Sequence, residues 1–467
     1  MSVKPVPAGG FAASAPLVIV GAGAAGLCAA LAACEAGAEV AVLERDAVPR
    51  GSTALSAGLI PAAGTRWQLA LGIRDSAALF AADLERKAHG KADRTIVDLV
   101  ARQAGPTVEW LAERYGLPFS LVQDFDYPGH SARRMHGLPG RSGLELIDRL
   151  RQAAEQAQVH LIVNATATAL FADTGGAVRG VEIARPDGAG DSLGCDALVL
   201  ACSGYGGAAD LVARHIPEMR DAAYFGHRGN RGDAVLWGDA LGAELLHMSG
   251  YQGHGSVAHP HGVLITWAVI MEGGFQVEAS GQRFSDESQG YSEQAAIVLA
   301  QPQGCAYDVF DERIAAIARQ FEDFRQAEAC GALIGAESVA QLAERLHLPP
   351  AALAASFAEV EAAKRAGGKD RFGRSFGGLP PLQPPFKAVK VTGALLHTQG
   401  GLAVDGDARV RSRRGERLPN LFAAGGAAAG VSGPHAGGYL SGNGLLTATV
   451  LGRVAGESAT ALVSRAG

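Results

Sequence analysis

No two cysteines in this chain stand as Cys-x-x-Cys. The six cysteines lie at 28, 34, 195, 202, 305 and 330, and no Cys-x-x-Cys-His occurs. That excludes an iron–sulfur or c-type haem relay ligated by this chain. The scatter fits reduced thiols, and a cytoplasmic location is expected. Charge is sparse. Charged residues make up 19%, the formal net charge is −6, and no basic stripe runs along any segment. No nucleic-acid partner is therefore expected. Long apolar runs are missing too. The run from Leu17 is interrupted by Gly21, Gly23 and Gly26 and soon meets Glu35, and only one Lys and no apolar stretch precede Pro16. Neither a signal peptide nor a membrane span is expected.

What is present is apolar mass. Of 467 residues, 48% are hydrophobic. That suits two or three packed domains and excludes a disordered chain.

Residues 1–15, mostly Pro, Gly, Ala and Ser, read as a loose arm. Leu17–Val20 is a short buried strand, Gly21–Ala36 a helix and Glu39–Glu44 a second strand. This β-α-β start predicts a doubly wound parallel sheet. The apolar period predicts helices at Ile96–Arg114 and Gly143–Gln156, and strands at Val159–Asn164, Ala177–Ile183 and Ala197–Ala201. From about 248 to 384 the character changes, with Tyr, His and Trp followed by helices at Ala315–Arg325, Ser338–Arg345 and Pro350–Lys364. The Pro-rich stretch Leu379–Pro385 reads as a linker back to strands at Lys387–Val391 and Leu402–Val404 and a last helix, Leu445–Leu462. The expected division is a first nucleotide part over 1–247, an inserted cap over 248–384, and a second nucleotide part over 385–467.

Gly21-x-Gly23-x-x-Gly26 follows a strand and opens a helix, with Ala25 inside it, and Glu44 followed by Arg45 closes the second strand. The glycines permit a tight turn, close approach of a pyrophosphate and close helix–strand packing. The helix start offers unpaired N–H groups to phosphate, and Glu44 would accept the ribose hydroxyls. The fingerprint predicts a dinucleotide without choosing FAD over NAD.

The choice comes from the blocks that follow. Arg50-Gly-Ser-Thr-Ala-Leu-Ser-Ala-Gly58 resembles the loop after the second strand in the fumarate reductase/succinate dehydrogenase flavoprotein superfamily, which also contains 3-ketosteroid Δ1-dehydrogenases, urocanate reductases and aspartate oxidases. The resemblance continues in order through Leu198–Gly207, Gly232-Asp233, Gly281–Glu287, Asp370–Arg374, His397–Gly401, Pro419–Gly425 and Gly437–Asn443, over nearly the whole chain. It implies an α/β fold: a doubly wound, Rossmann-like, bipartite FAD-binding domain with an inserted α+β capping domain, the substrate lying between cap and flavin. It also implies that Ser52, Thr53, Ser56 and Gly58 line the pyrophosphate and flavin. Ala167, Ser203 and Gly204 would hold the adenine side. Gly425, Ser441, Asn443 and Leu445 would lie near the ribityl chain and pyrimidine. Two departures stand out. Gly426 occupies a place where the family often has Glu, and no His lies in the 50–58 loop, so non-covalent FAD is expected.

Dicarboxylate reductases of this superfamily place an Arg proton donor in the cap and a carboxylate-clamping Arg before the last helix. The corresponding positions here are Tyr291 and Tyr439. A bidentate carboxylate clamp wants a guanidinium fork. Tyrosines resemble the ketosteroid dehydrogenases instead. The resemblance implies Tyr291 as the proton-transfer residue, and Tyr439 with the backbone at Ser441, Gly442 and Gly444 as the carbonyl clamp. It implies His397 as a substrate-facing histidine, with His254 aligned loosely to another. Each also has a structural reading: a cap aromatic, a tyrosine packed on a Gly-rich turn, histidines satisfied by backbone. An α-proton becomes acidic only if the developing enolate oxygen is stabilised, and a phenol is a usable base only if its surroundings favour the anion.

The reading is an FAD-dependent dehydrogenase, or desaturase, of a small-molecule carbonyl compound, with oxygen or an external carrier as electron acceptor. The alternative is an ene-reductase of an unsaturated carboxylate. An aspartate-oxidase-like activity lacks its Arg, a flavin-binding electron-transfer subunit lacks a visible docking surface, and a nicotinamide-only dehydrogenase does not explain the flavin-loop blocks. No metal is expected: His254, His259 and His261 have no nearby Cys or carboxylate. Arg133, Arg134, His136 and Arg141 form the densest basic cluster, read as a salt-bridge set or solvated face rather than a substrate site. Cys202 reads as packing.

Overall fold

A computed structural model describes residues 2–123 and 127–466. The chain divides into two compact units. The first comprises Met1–Ile216, Gly226–Tyr251 and His397–Gly467, and the second Pro217–Phe225 and Gln252–Leu396.

In the first unit, β1 (Ser2–Pro5), β2 (Ser14–Val20), α1 (Ala24–Glu35) and β3 (Val40–Leu43) open the chain. α2 (Arg94–Tyr115) is capped by Asp93, which accepts from the Thr95 N–H, and is ended by Gly116 at φ 68°. α3 (Gly143–Gln156) leads into β4 (His160–Ile162), β5 (Thr166–Ala172), β6 (Val178–Ala184) and β7 (Gly190–Leu200). The sheet runs β1-β5-β6-β7-β2-β3-β4. From β7 through β4 its neighbours are parallel, and all of β3 and most of β2 and β7 are buried. Continuous apolar strands are what a parallel sheet covered on both faces requires.

The N-terminal arm is not loose throughout. β1 pairs in parallel with β5, Ser2 opposite Ala169 to Pro5 opposite Ala172. The Phe11 ring meets Phe171 edge-on at 5.5 Å, and Lys4 bonds Glu182 at 2.7 Å. Composition alone misread this segment, because the free edge of β5 and two apolar side chains decide it.

The second unit is built on a seven-stranded sheet. Its principal members are β8 (Tyr251–Ala258), β9 (Phe275–Val277), β10 (Cys305–Asp311), β11 (Leu333–Ala336) and β12 (Phe386–Thr398). α4 (Tyr291–Leu299) and α5 (Pro350–Ala366) accompany them. β12 lies antiparallel to both β10 and β11. The predicted single helix at Ala315–Arg325 is two, Glu312–Ala318 and Glu322–Ala329. Phe321 adopts an extended backbone between them, and Arg319 bridges Glu312 and Glu328 at 2.6 and 2.8 Å. β12 carries the chain back across the unit boundary at Leu396–His397.

After the return, β13 (Arg417–Ala423) pairs in parallel with the carboxyl end of β7, Leu198 opposite Leu421. α6 (Asn443–Ala466) then packs against α1, with Gly452 and Gly456 seated on the Ala25 and Ala29 carbonyls. Among the described residues, no helix is long and apolar enough to cross a membrane.

Candidate active site

β2 delivers the chain into the turn at Gly21, whose N–H donates to the Leu43 carbonyl at 2.8 Å. A Cβ at Gly21 would come within 2.5 Å of the Ala201 carbonyl, so this turn closes only on glycine. α1 then starts at Gly23 with no side-chain cap and no acidic residue in its first turn. Its Ala24 N–H donates to Thr53 Oγ1 at 3.1 Å. An uncapped helix start with its positive end open is suited to a pyrophosphate. Glu44 is buried and accepts from the Ala22 N–H at 2.9 Å and the Asp46 N–H at 3.0 Å. A carboxylate has about four lone-pair sites, so two remain for ribose hydroxyls. Arg45 turns away to Asp233 at 3.1 Å and the Gly229 carbonyl at 2.7 Å.

The 50–58 loop is held from within. Ser56 Oγ donates to the Thr53 carbonyl at 2.7 Å and accepts from the Gly58 N–H at 3.2 Å. Ser52 Oγ accepts from the His227 N–H at 3.1 Å and Asn230 Nδ2 at 2.8 Å. Ala167 lies in β5, just after Ala165, whose N–H donates to the Glu44 carbonyl at 2.8 Å. Ser203, at φ 66°, and Gly204 follow the end of β7. Gly426 has a reason in the packing. A Cβ there would lie 2.9 Å from the Gly204 amide nitrogen and 3.2 Å from Ser203 Oγ. Gly425 likewise sits against Ala25, whose Cβ would be 3.0 Å from its own. These residues fit FAD: an open helix start, a ribose-directed carboxylate and a tightly closed Gly-rich turn.

α6 starts at Asn443, as its turn predicts, with Leu446 N–H bonded to the Gly442 carbonyl at 2.9 Å. The turn before it holds Tyr439, which is buried. Its phenol oxygen accepts from the backbone N–H groups of Gly442 and Gly444, and burial raises its pKa to about 12. The amides expected to face a substrate thus meet the tyrosine oxygen itself. His397 sits edge-on to the Tyr439 ring, 5.5 Å between centroids, and its Nε2 lies 2.9 Å from where a Cβ on Gly444 would be. Burial lowers the His397 pKa to about 4, so the ring is neutral. Three residues that sequence reasoning missed stand close by. The Gln399 amide lies 3.1 Å from His397 Nδ1 and 2.7 Å from Ser432 Oγ. His130 Nε2 lies 3.0 Å from the Ser441 carbonyl. Gln399 was inside a recognised block, but nothing in the sequence links it to Ser432 or brings His130 to this turn.

The second unit carries its own constellation. His254, buried in β8, stacks on Tyr291 with 5.1 Å between centroids and 21° between planes. Trp267 meets both edge-on, at 5.7 and 6.4 Å. Gly290 at φ 144° precedes Tyr291 and lets α4 begin on it. The Ser256 N–H donates to His254 Nδ1 at 3.2 Å, so the proton of this neutral ring is on Nε2. Burial lowers its pKa to about 3. Beneath it, Ser256 Oγ and Gln276 Nε2, the latter at 2.8 Å, donate to Asp308, which burial raises to about 7. His254 is thus separated in environment from His259 and His261, which are exposed beyond the strand.

The basic cluster is structural. Arg134 is fully buried between Asp75 at 2.9 Å and Asp83 at 2.6 Å, and His136 bonds Thr65 Oγ1 at 2.9 Å. Arg141 bonds the Gly137 and Ser120 carbonyls at 2.9 and 3.1 Å. Burial raises the Cys202 thiol to about 12, as packing requires of an inert cysteine.

A family model described as an FAD binding domain matches residues 17–445. A protein described as a probable fumarate reductase of Shewanella frigidimarina is 30% identical over 97% of this chain and 76% of its own length. The open conformation of a flavocytochrome c3 fumarate reductase superposes with TM-score 0.84 at 29% identity, covering 98% of this chain and 80% of that one. The 3-ketosteroid-Δ4-(5α)-dehydrogenase of Rhodococcus jostii RHA1, solved with 4-androstene-3,17-dione, superposes with TM-score 0.79 at 25% identity, covering 98% and 100%. With that family match, and with a nucleotide site that fits the cofactor, the chain belongs to the fumarate reductase/succinate dehydrogenase flavoprotein superfamily and is an FAD-dependent oxidoreductase of the C–C/C=C class.

Proposed function

We propose that this enzyme introduces a C=C bond α,β to a ketone, on a cyclic ketone, keto acid or ketosteroid. FAD, when bound, supplies the two-electron acceptor that takes hydride from the β-carbon. Tyr291 takes the α-proton, and Tyr439 donates its O–H to the ketone oxygen.

Tyr439 is the observation that carries this reading. Its oxygen accepts from the Gly442 and Gly444 N–H groups, and burial keeps the phenol protonated. In this reading the protonated phenol offers its O–H, away from water, to the ketone oxygen. Such a donor favours a developing enolate oxygen. A carboxylate would instead call for a cation and a fork. In the second unit, His254 keeps a neutral face on the Tyr291 ring and carries its proton on Nε2.

Electrons then pass to oxygen or to an external carrier. The six cysteines are free thiols, which supports a reducing, cytoplasmic setting. No nucleic-acid or membrane partner enters this reading.

A second reading is favoured by the 30% identity to the fumarate reductase relative. It is reduction of an α,β-unsaturated carboxylate, the same proton and hydride transfers run in reverse. One experiment separates the two. The FAD-loaded enzyme is mixed anaerobically with a cyclohexanone, a keto-substituted cyclohexane carboxylate and a 3-ketosteroid. Bleaching of the flavin band by one of them supports the dehydrogenase. No bleaching, with reoxidation of dithionite-reduced enzyme by fumarate, urocanate or an aryl acrylate, overturns it in favour of the ene-reductase.

A further inference from the structure

Four polar side chains in the first unit make a continuous chain that runs inward from half-buried His397 through Gln399 and Ser432 to Asn443. Gln399 is 4% exposed, and Ser432 and Asn443 are fully buried. Gly430 leaves the room this chain needs, since a Cβ there would come within 2.6 Å of the end of the Gln399 carboxamide.

The two ends of a carboxamide are distinguished by the partners they meet. The Asn443 amide lies against both backbone groups of Leu440. The Leu440 carbonyl already accepts from the Asn443 N–H at 3.0 Å; turned so that Nδ2 faces that carbonyl at 3.2 Å, Asn443 also brings Oδ1 to the Leu440 N–H at 3.3 Å. Oδ1 then also accepts from Ser432 Oγ at 3.0 Å. The opposite orientation sets like against like in a buried place, which is costly. Ser432 has one proton, and it is spent on Asn443. In the structure Gln399 Oε1 is the group 2.7 Å from Ser432 Oγ, so once the Ser432 proton is on Asn443 the Gln399 carboxamide must be turned over as well, its N–H toward Ser432. Turned over in this way, the carboxamide brings its oxygen to the place 3.1 Å from His397 Nδ1 where the structure has Nε2. Nδ1 must carry the ring proton. The Thr398 carbonyl, 3.4 Å from the same nitrogen, is at the outer limit of a hydrogen bond and adds only a weak pull on that proton.

We propose that Asn443, Ser432 and Gln399 are positioning residues that hold His397 as its Nδ1–H tautomer, so that Nε2 offers a lone pair and accepts rather than donates a hydrogen bond. Its burial keeps the ring neutral. The consequence deepens the dehydrogenase reading and rests on it: within this unit His397 does not polarise the ketone, and Tyr439 is the donor to its oxygen. His254 is the reverse case, with Nδ1 accepting from Ser256 and Nε2 protonated.

The test is nitrogen NMR of the FAD-loaded full-length enzyme labelled with ¹⁵N-histidine. The His397 signals are identified by their loss in His397→Asn. A pyridine-type Nε2 with a pyrrole-type Nδ1 is expected in the wild type and in Gln399→Glu, which keeps the acceptor. Gln399→Met should lose this single tautomer. A pyrrole-type Nε2 in the wild type overturns the proposal, as does a Gln399→Met spectrum matching the wild type. The wild-type spectrum decides the tautomer even if a variant does not fold. Because the readout is not turnover, its failure is distinct from failure of the ketone oxidation itself.

Discussion

The imidazole of His254 lies nearly parallel to the phenol ring of Tyr291, 21° between planes and 5.1 Å between centroids. The Ser256 N–H pins the tautomer of that imidazole. A side chain so placed is stiffened by its neighbour, and proton transfer depends on such positioning.

Tyr291→Phe keeps the ring stack and removes only the hydroxyl. Flavin content and visible spectrum should be unchanged, and kcat should fall by about 10²–10⁴-fold, the scale of a general acid–base residue. Steady-state turnover with the ketone that bleaches the flavin measures it. Near-normal turnover would remove Tyr291 from the chemistry.

Tyr439→Phe deletes one hydrogen-bond donor. The expected loss is on the order of 2–4 kcal/mol in the barrier, as for one oxyanion donor. An unchanged rate would refute the clamp.

The flavin should be dissociable. After acid precipitation the yellow colour is expected in the supernatant. Colour held by the pellet would show a covalent bond made elsewhere than in the 50–58 loop, which has no His.

Acid should unfold the protein early. His254, His397, His130 and His136 all have folded pKa values pushed down by burial, to about 3, 4, 4 and 4. Below the unfolded value of about 6.5 the unfolded chain binds more protons, so stability is full above that pH and is lost as pH falls from it towards 4. Asp308, raised to about 7, carries the opposite sign and offsets one of the four. Each group contributes on the order of 1 kcal/mol per pH unit across its window. Melting temperatures at pH 7, 6 and 5 should fall in that order, and His136→Asn should flatten the trend. A constant melting temperature from pH 7 to 5 would contradict the assignment.

Gly426→Glu installs the residue common in the family. Here it should destabilise by about 1–3 kcal/mol, the scale of overpacking, because its Cβ meets the Gly204 amide. Thermal unfolding of the FAD-loaded variant checks this. A more stable variant with tighter FAD would show that the turn yields.

Much of the nucleotide site was legible because it is local. Gly21, Gly23, Gly26 and Glu44 sit on one β-α-β unit, where residue spacing sets spatial spacing. The tyrosines at 291 and 439 were legible as departures within recognisable blocks. Other features were not. β1 was misread as loose because its partner, Ala169–Ala172, lies far along the chain. The ion pair of Arg45 with Asp233, which stands far along the chain, was not legible either.

Amino-acid order alone was enough for the dinucleotide fingerprint, the parallel sheet and the absence of arginine at two expected places. These depend on residue type and short-range period, which the chain carries with it before it folds. Packing decided the protonation states and hydrogen-bond directions. The tautomer of His254 depends on Ser256, the one proposed for His397 on Ser432 and Asn443, and the raised pKa of Tyr439 on its burial. A proton's position answers to every neighbour within about 3 Å, and those neighbours come from segments that only folding brings together.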